Sequence, residues 1–195
     1  MNVNINTLFN NNKDYLSRQQ IPNRAIYYEI LRLIKSGDVE RVKPGVYYYK
    51  SAVSSNPVMI DIDKIVPNGV LCLYSAWTFY ELTVQIPQAF NVAIEKSRKV
   101  ILPDYPPVML YYWKNNYWEL GVVNTKINGY MVNIYDLEKS VCDAVRFRNK
   151  IGIETTAEII RNYLNRQERN FTKLMQYAKI MRIEKIMRSY IEIQL

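Results

Sequence analysis

The chain has 195 residues, of which 49% are apolar, and its 26 lysines and arginines against 18 acidic residues give a formal net charge of +8. This size and composition are typical of a globular protein with one or two domains, and the excess of positive charge favours a polyanionic partner. No histidine is present, which excludes serine–histidine and cysteine–histidine catalysis and any histidine metal site.

The first 20 residues are predicted to form two short helices. The first covers residues 4–10, with apolar side chains at helical spacing on one side. The second covers residues 13–19 and begins after Asn11 or Asn12, because asparagine side chains can bond the free amides of a first helical turn.

A third helix is predicted to begin after Asn23, whose side chain can cap it, and to end at Gly37. Its apolar residues recur at the spacing of one buried helical face. The opposite face contains Ala25 and four polar members whose side chains can contact bases and phosphates. These members are Arg24, Tyr28, Arg32 and Lys35.

A hairpin is predicted directly after this helix. Residues 39–43 form one strand, Pro44-Gly45 the turn, and residues 46–50 the returning strand. Arg41 and Lys43 lie near the tip, where they can hold phosphates. A helix with a basic outer face followed by a basic hairpin is typical of a winged helix-turn-helix domain, which reads the major groove of DNA. The competing interpretation is an ordinary solvated basic face.

The remainder of the chain is predicted to be a separate domain. Residues 51–57 are small and polar and end in proline, so we expect a linker between a winged helix of residues 1–50 and a C-terminal domain of residues 58–195. Residues 58–64 alternate between apolar and acidic side chains, as a strand with one solvated face does. Residues 70–82 are apolar on every side of a helix, which predicts a buried helix.

Several runs of β-branched and aromatic residues follow. After them, the apolar residues recur at helical spacing. Asp136 is predicted to cap one helix, Thr155 or Thr156 to open the next, and residues 171–195 to form two more. This order predicts an α+β fold, with a mixed α/β C-terminal domain that ends in a helical bundle. The predicted strands are 91–95, 100–102, 108–113, 117–124 and 130–134, with a hairpin tip at Asn115-Asn116.

Catalysis is not favoured by the residue patterns. Asp61 and Asp63 would share one strand face and could hold Mg²⁺, but the preceding residues lack the glycine of a phosphate loop. Cys72 and Cys142 lie far apart in apolar patterns and are predicted to be reduced core residues. We therefore expect no enzyme activity, no cofactor and no metal. An aromatic cluster is predicted to pack in the core rather than stack on bases; its members are Tyr105, Tyr111, Tyr112, Trp113, Tyr117 and Trp118.

The sequence shows neither a signal peptide nor an apolar run of about 20 residues, so we expect a cytoplasmic protein that does not contact a membrane.

Three stretches of the sequence resemble the AbiEi family of bacterial antitoxins, the transcriptional regulators of the AbiE abortive-infection systems. They are SGDVERVKPGVYYY, LYSAWTFYELT and VNIYDLEKSVCDAVRFRNKIG. The last stretch contains Asp143 and Gly152 where the family has a helical aspartate and a following glycine. One departure is that this chain lacks the histidine that members often carry before the Ser-Ala pair.

The resemblance implies a function. In that family a winged helix binds inverted repeats in its own promoter and represses it, and a C-terminal domain counters a nucleotidyltransferase-like toxin without a stable complex. Carried over to this chain, the DNA contacts are Arg24, Tyr28, Arg32, Arg41 and Lys43, with Lys13 and Arg18 on phosphates. Several copies could assemble cooperatively on the DNA.

Basic residues in the last third of the chain could form a second polyanion-binding surface for DNA or RNA, or could simply be solvated helix faces. The C-terminal domain could alternatively be an RNA-binding or nucleotide-handling enzyme module, or the sensory part of a plain transcription regulator. The candidates for the second surface are Arg146, Arg148, Lys150, Arg161, Arg166 and Lys173, followed by Arg169, Lys179, Arg182, Lys185 and Arg188.

Overall fold

The computed structural model has a mixed α+β fold with two sheets. The chain divides into two compact units, and each is described by itself. Unit 1 comprises residues Met1–Ile65 and Val100–Pro106, and unit 2 comprises Val66–Lys99 and Pro107–Leu195. The residues that the structure describes are 4–12, 14–50, 62–103, 106–127 and 129–194.

Unit 1 contains a three-stranded antiparallel sheet in the order β1-β3-β2. Its elements are α1 (Ile5–Asn11), β1 (Tyr15–Ser17), a 3₁₀ turn (Arg18–Gln20), α2 (Arg24–Ser36), β2 (Val39–Lys43), β3 (Val46–Tyr49) and α3 (Ile62–Ile65). The expected first helix, the helix after Asn23 and the hairpin are confirmed.

The predicted second helix over residues 13–19 is wrong. Residues Tyr15–Ser17 are extended and pair with β3, with Leu16 opposite Tyr47. A short segment satisfies its backbone groups wherever partners are offered, and here β3 offers them from about 30 residues further along the chain. Lys13 lies outside the described residues.

The core of unit 1 is built from the inner faces of these elements. Phe9 of α1, Leu16 of β1 and Ile30 of α2 are fully buried, and they pack in one apolar cluster with Val39 and Tyr47 of the hairpin. The apolar face of α2 therefore holds the helix on the sheet, and its other face is left to solvent.

The linker predicted over residues 51–57 and most of the strand predicted over residues 58–64 lie outside the described residues. The described end of that strand is a helical turn instead, α3. Its Lys64 donates a hydrogen bond to the Asn12 carbonyl at 3.0 Å. Asp63 therefore does not lie on a strand face, as the magnesium hypothesis required.

Unit 2 contains a five-stranded mixed sheet in the order β6-β5-β4-β8-β7, in which β4 with β8 and β5 with β6 are parallel. Its elements are β4 (Val70–Leu71), α4 (Leu73–Phe79), β5 (Phe90–Glu95), β6 (Val108–Trp113), α5 (Asn115–Trp118), β7 (Val122–Ile127), β8 (Tyr130–Tyr135), α6 (Leu137–Ile151), α7 (Ile153–Leu164), α8 (Phe171–Ile180) and α9 (Glu184–Gln194).

Several sequence predictions for this sheet are wrong. The helix expected over residues 70–82 starts only at Leu73, because Val70–Leu71 is the central strand between β5 and β8. Residues 100–102 are not a strand. The expected hairpin tip at Asn115-Asn116 is a helical turn, because β6 pairs with β5 rather than with β7. The strand expected from residue 117 consequently begins only at Val122.

The helices after the sheet match the prediction closely. Asp136 caps α6, its side chain accepting the Lys139 amide at 2.8 Å, and residues 171–194 form two helices. The predicted start of the next helix at Thr155 or Thr156 is wrong, since α7 begins at Ile153 directly after Gly152.

Helix α6 lies in the middle of the unit 2 core. Val141, Cys142 and Val145 are fully buried, as the sequence predicted. Cys72 and Cys142 are both buried free thiols, which confirms their assignment as reduced core residues.

The predicted aromatic cluster divides between core and surface. Trp113 is buried and meets Phe147 edge to face at 5.4 Å between ring centroids, whereas Tyr112 is 55% exposed. Tyr105 lies outside the described residues. Among the helices that the structure describes, none is long and apolar enough to cross a membrane.

Candidate nucleic-acid interface

The outward face of α2 carries the four residues that the sequence singled out. At about 100° per residue, their positions fall within an arc of roughly 80°. All four are exposed, and Tyr28 in the middle is 66% exposed. They form one row along the helix; its members are Arg24, Tyr28, Arg32 and Lys35.

Local sequence fixes both ends of this helix. The Asn23 side chain accepts the Ile26 amide at 3.0 Å, which satisfies one free donor of the first turn. Gly37 closes the helix with φ of 86°, a left-handed conformation that glycine adopts without a steric cost. Buried Ile26 and Ile30 hold the inner face, so the row points away from the core.

The charged members of this row are weakly engaged within the protein. Arg32 reaches Glu29 at 3.9 Å, and the Arg32 side chain is 77% exposed, so solvent screens this ion pair. Among the described residues, Arg24 and Lys35 have no hydrogen bond or ion pair through their side chains. Their cationic groups are therefore available to an external anion.

Arg18 lies in the 3₁₀ turn that precedes α2. Its guanidinium stacks on the Tyr27 ring, with 3.9 Å between Cζ and the ring centroid. Its backbone N–H donates to the Gly45 carbonyl at 2.7 Å, so this turn rests against the turn of the hairpin. Stacking restricts the side chain while the residue stays exposed, which lowers the entropy lost when an anion binds.

The two cations of the hairpin have different surroundings. Arg41 is exposed, whereas the partly buried Lys43 donates from Nζ to the Ile65 carbonyl at 2.7 Å. The β2–β3 register is irregular between these two residues. Such an irregularity interrupts the regular alternation of side chains along a strand. Of the two predicted phosphate contacts, Arg41 is the one presented to solvent.

Tyr47 links the two arginines electrostatically. Burial raises the pKa of its hydroxyl, the hydrogen bond with Tyr27 raises it further, and the charges of Arg41 and Arg18 lower it. Both guanidiniums thus act on one hydroxyl group of β3. The charges of Arg41 and Arg18 therefore both lie near this hydroxyl group.

The proposed second basic surface in unit 2 is largely committed to internal contacts. Arg166 donates to the Tyr80 carbonyl at 2.5 Å. Lys173 pairs with Asp136 at 3.0 Å and with Glu138 at 3.4 Å. These two cations hold elements of unit 2 together, so they are poorly placed to bind a polyanion.

The other four candidates are distributed over α6 and α7. Arg146 donates to the Met181 carbonyl at 3.3 Å, and Arg148 donates to the Val145 carbonyl of its own helix. Arg161 donates to the Gln194 side chain at 3.2 Å. Lys150 is exposed beside the Phe147 ring. Although three of the four cations share α6, Arg146, Arg148 and Arg161 each donate to a different internal partner.

A buried ionic cluster at the start of α6 was not predicted from the sequence. Lys139 and Asp143 pair inside the core, and both side chains are fully enclosed. Nearby, Tyr177 donates from its hydroxyl to Asp136 at 3.0 Å. The sequence does place polar residues within the apolar pattern of α6, and these could have indicated the cluster. Periodicity alone, however, cannot show that a charge is buried.

The described residues contain no group of three or more cysteine, aspartate or glutamate side chains placed to hold a metal ion. The strongest assembly of residues for external contacts is therefore the row on α2 together with Arg18 and Arg41.

Comparison with known protein-family profiles and with curated proteins finds no match for this chain.

Proposed function

We propose that this protein binds double-stranded DNA through unit 1, and that unit 1 is a winged helix-turn-helix. The order helix, strand, 3₁₀ turn, helix, strand, strand supports this proposal, as does the antiparallel sheet in the order β1-β3-β2. In such a domain the last helix enters the major groove, and the hairpin lies beside it on the backbone.

The exposed row on α2 is the observation that carries the proposal. From Arg24 to Lys35 the helix rises by about 16 Å, the length of roughly five base pairs. Arginines can bind guanine edges in a bidentate manner, and tyrosine can contact bases and phosphates. We propose that Arg24, Tyr28 and Arg32 contact bases and that Lys35 contacts the backbone.

Arg18 and Arg41 are proposed to hold phosphates beside the helix. Both are exposed: Arg18 lies in the 3₁₀ turn that bonds to the hairpin turn, and Arg41 lies in β2 of the hairpin. Phosphate contacts fix the register of a reader on the duplex without carrying sequence information.

The DNA ligand is proposed to be the promoter of the protein's own gene, with inverted repeats as the sites. The test is binding of the full chain to the DNA upstream of its gene and to scrambled DNA across a salt series. Sequence-selective binding should be accompanied by an affinity that falls steeply with salt. Equal and weak binding to both DNAs would contradict the proposal.

Alanine variants locate the reading face. Arg24→Ala and Arg32→Ala should each cost about 1–3 kcal/mol of promoter binding and relax specificity if they contact bases. Arg188→Ala is the matched control, because it removes an exposed helical arginine in unit 2 that pairs only with Glu184 at 2.9 Å among the described residues. Equal losses in all three variants would show a non-specific charge effect.

We propose further that the protein is an antitoxin that acts in the cytoplasm against a nucleotidyltransferase-like toxin, without forming a stable complex with it. Only the three stretches similar to the AbiEi family support this part. The test is growth of cells that express the toxin encoded beside this gene, with and without this chain. Failure to restore growth would favour a plain transcription regulator.

A further inference from the structure

A cleft of about 510 Å³ opens on unit 2, and none of the residues assigned to DNA lines it. It lies where the start of β4, the end of β5 and the connection from α5 to β7 come together. Val122 and Trp118 supply apolar surface, and Glu95, Arg98 and Glu119 supply charge. This volume falls within the range of about 300–1,000 Å³ that is common for small-molecule sites.

The charged side chains of this cleft are not committed to each other. Among the described residues, Glu95, Arg98 and Glu119 make no side-chain hydrogen bond or ion pair. Glu95 and Arg98 are half-buried, whereas the other half-buried cations in the described part of unit 2 have carbonyl or carboxylate partners; these are Arg148, Arg166 and Lys173. Half-buried charges without partners lose part of their hydration, and a ligand of complementary charge would restore it.

The arrangement of charges defines the ligand. One guanidinium can bind a carboxylate in a bidentate manner, and two carboxylates can each bind an ammonium or guanidinium group. The three side chains carry a net charge of −1, from two glutamates and one arginine. A ligand with one anionic and two cationic groups balances this charge, and the Trp118 ring can contact its aliphatic stem.

We propose that this cleft binds a basic α-amino acid. The α-carboxylate binds Arg98, and the two cationic groups bind Glu95 and Glu119. This site goes beyond the proposed DNA-binding function and is tested without DNA, so failure of either proposal leaves the other standing.

The experiment is isothermal titration calorimetry of the full chain with L-lysine, L-arginine and L-ornithine. Two analogues of lysine test the charge requirement, since cadaverine lacks the carboxylate and L-norleucine lacks the side-chain cation. At least one basic amino acid should bind saturably with a Kd below about 1 mM, and both analogues should bind at least about tenfold more weakly.

Variants assign the contacts. Arg98→Gln should weaken amino-acid binding at least about tenfold and abolish the preference for lysine over cadaverine. Glu95→Gln should weaken binding without removing the requirement for a carboxylate. The matched controls are Lys96→Gln and Glu192→Gln, which remove exposed charges outside the cleft and should leave the affinity unchanged. Thermal unfolding of each variant checks that it is folded.

Three outcomes would overturn the inference. They are the absence of saturable heat up to about 10 mM ligand, cadaverine binding as tightly as lysine, and an affinity that folded Arg98→Gln leaves unchanged. The second outcome would show a cleft that selects polycations by charge alone.

Discussion

Lys139 and Asp143 meet inside the core of unit 2, with 2.5 Å between Nζ and Oδ1 and both side chains fully buried. The pair is one helical turn apart on α6, and the Lys139 ammonium also lies over the Tyr135 ring, 3.9 Å from its centroid. Asp143 Oδ2 has no hydrogen-bond partner in the part of the chain that the structure describes. Burial raises the pKa of the Asp143 carboxyl, although the charge of Lys139 acts in the opposite direction.

Breaking this pair should be more harmful than replacing it. Lys139→Met leaves a buried carboxylate without its cation, and we expect the free energy of unfolding to fall by about 3–5 kcal/mol. The double variant Lys139→Met/Asp143→Leu should be more stable than either single variant, because no buried charge remains uncompensated. Urea unfolding of the three variants measures this, and additive losses would contradict it.

Two glycines with positive φ should respond differently to alanine. At Gly37, with φ of 86°, no atom beyond its chain neighbours lies within 4 Å of the position that an alanine Cβ would occupy. Gly37→Ala should therefore cost only the backbone strain of about 1–2 kcal/mol. At Gly121, with φ of 70°, a Cβ would come within 2.7 Å of the Lys139 Cβ and within 3.0 Å of Asp136 Oδ1.

Gly121→Ala should therefore destabilise the protein by clearly more than Gly37→Ala, because steric overlap adds to the same backbone strain. Urea unfolding compares the two variants directly. If the two losses were equal, the packing around Gly121 would not be as tight as the structure indicates.

The hairpin cations should separate DNA binding from stability. Arg41→Ala should weaken binding to all DNA sequences and flatten the slope of log K against log salt by about one unit. Lys43→Ala should change this slope little, because the ammonium is bonded to the Ile65 carbonyl. Its main effect should be a loss of about 0.5–1.5 kcal/mol of stability. Equal changes in salt slope would show that both cations bind phosphates.

Alkaline pH should weaken the fold through Tyr177. Burial and then the charge and hydrogen bond of Asp136 raise the pKa of the Tyr177 hydroxyl from 10.0 to about 12. The folded state thus holds this proton more tightly than the unfolded state. The contribution to stability is fully present below about pH 10 and is lost as the pH rises through 12.

Urea unfolding between about pH 9 and about pH 12 tests this, as the midpoint should fall less steeply in Tyr177→Phe than in the wild type. Tyr112→Phe is the control, because it removes a hydroxyl group from a tyrosine that is 55% exposed. A steep fall of the same size in Tyr177→Phe would contradict the assignment.

Local sequence determined the elements whose signals lie within a few residues. Helix α2 and its outward row are fixed by three local features, namely the cap of Asn23, the stop at Gly37 and the apolar spacing between them. Each of these features acts within one or two helical turns. In the same way, Asp136 defined the start of α6, and Pro44-Gly45 the turn of the hairpin.

Tertiary structure decided the short strands and the environments of charges. Tyr15–Ser17 and Val70–Leu71 are extended because distant strands pair with them, and a pairing partner far along the chain leaves no mark on local periodicity. The burial of Lys139 with Asp143 and the cleft beside Arg98 likewise depend on which elements pack together. Residue types show that a charge is present, but only packing decides whether it faces water, a partner or the core.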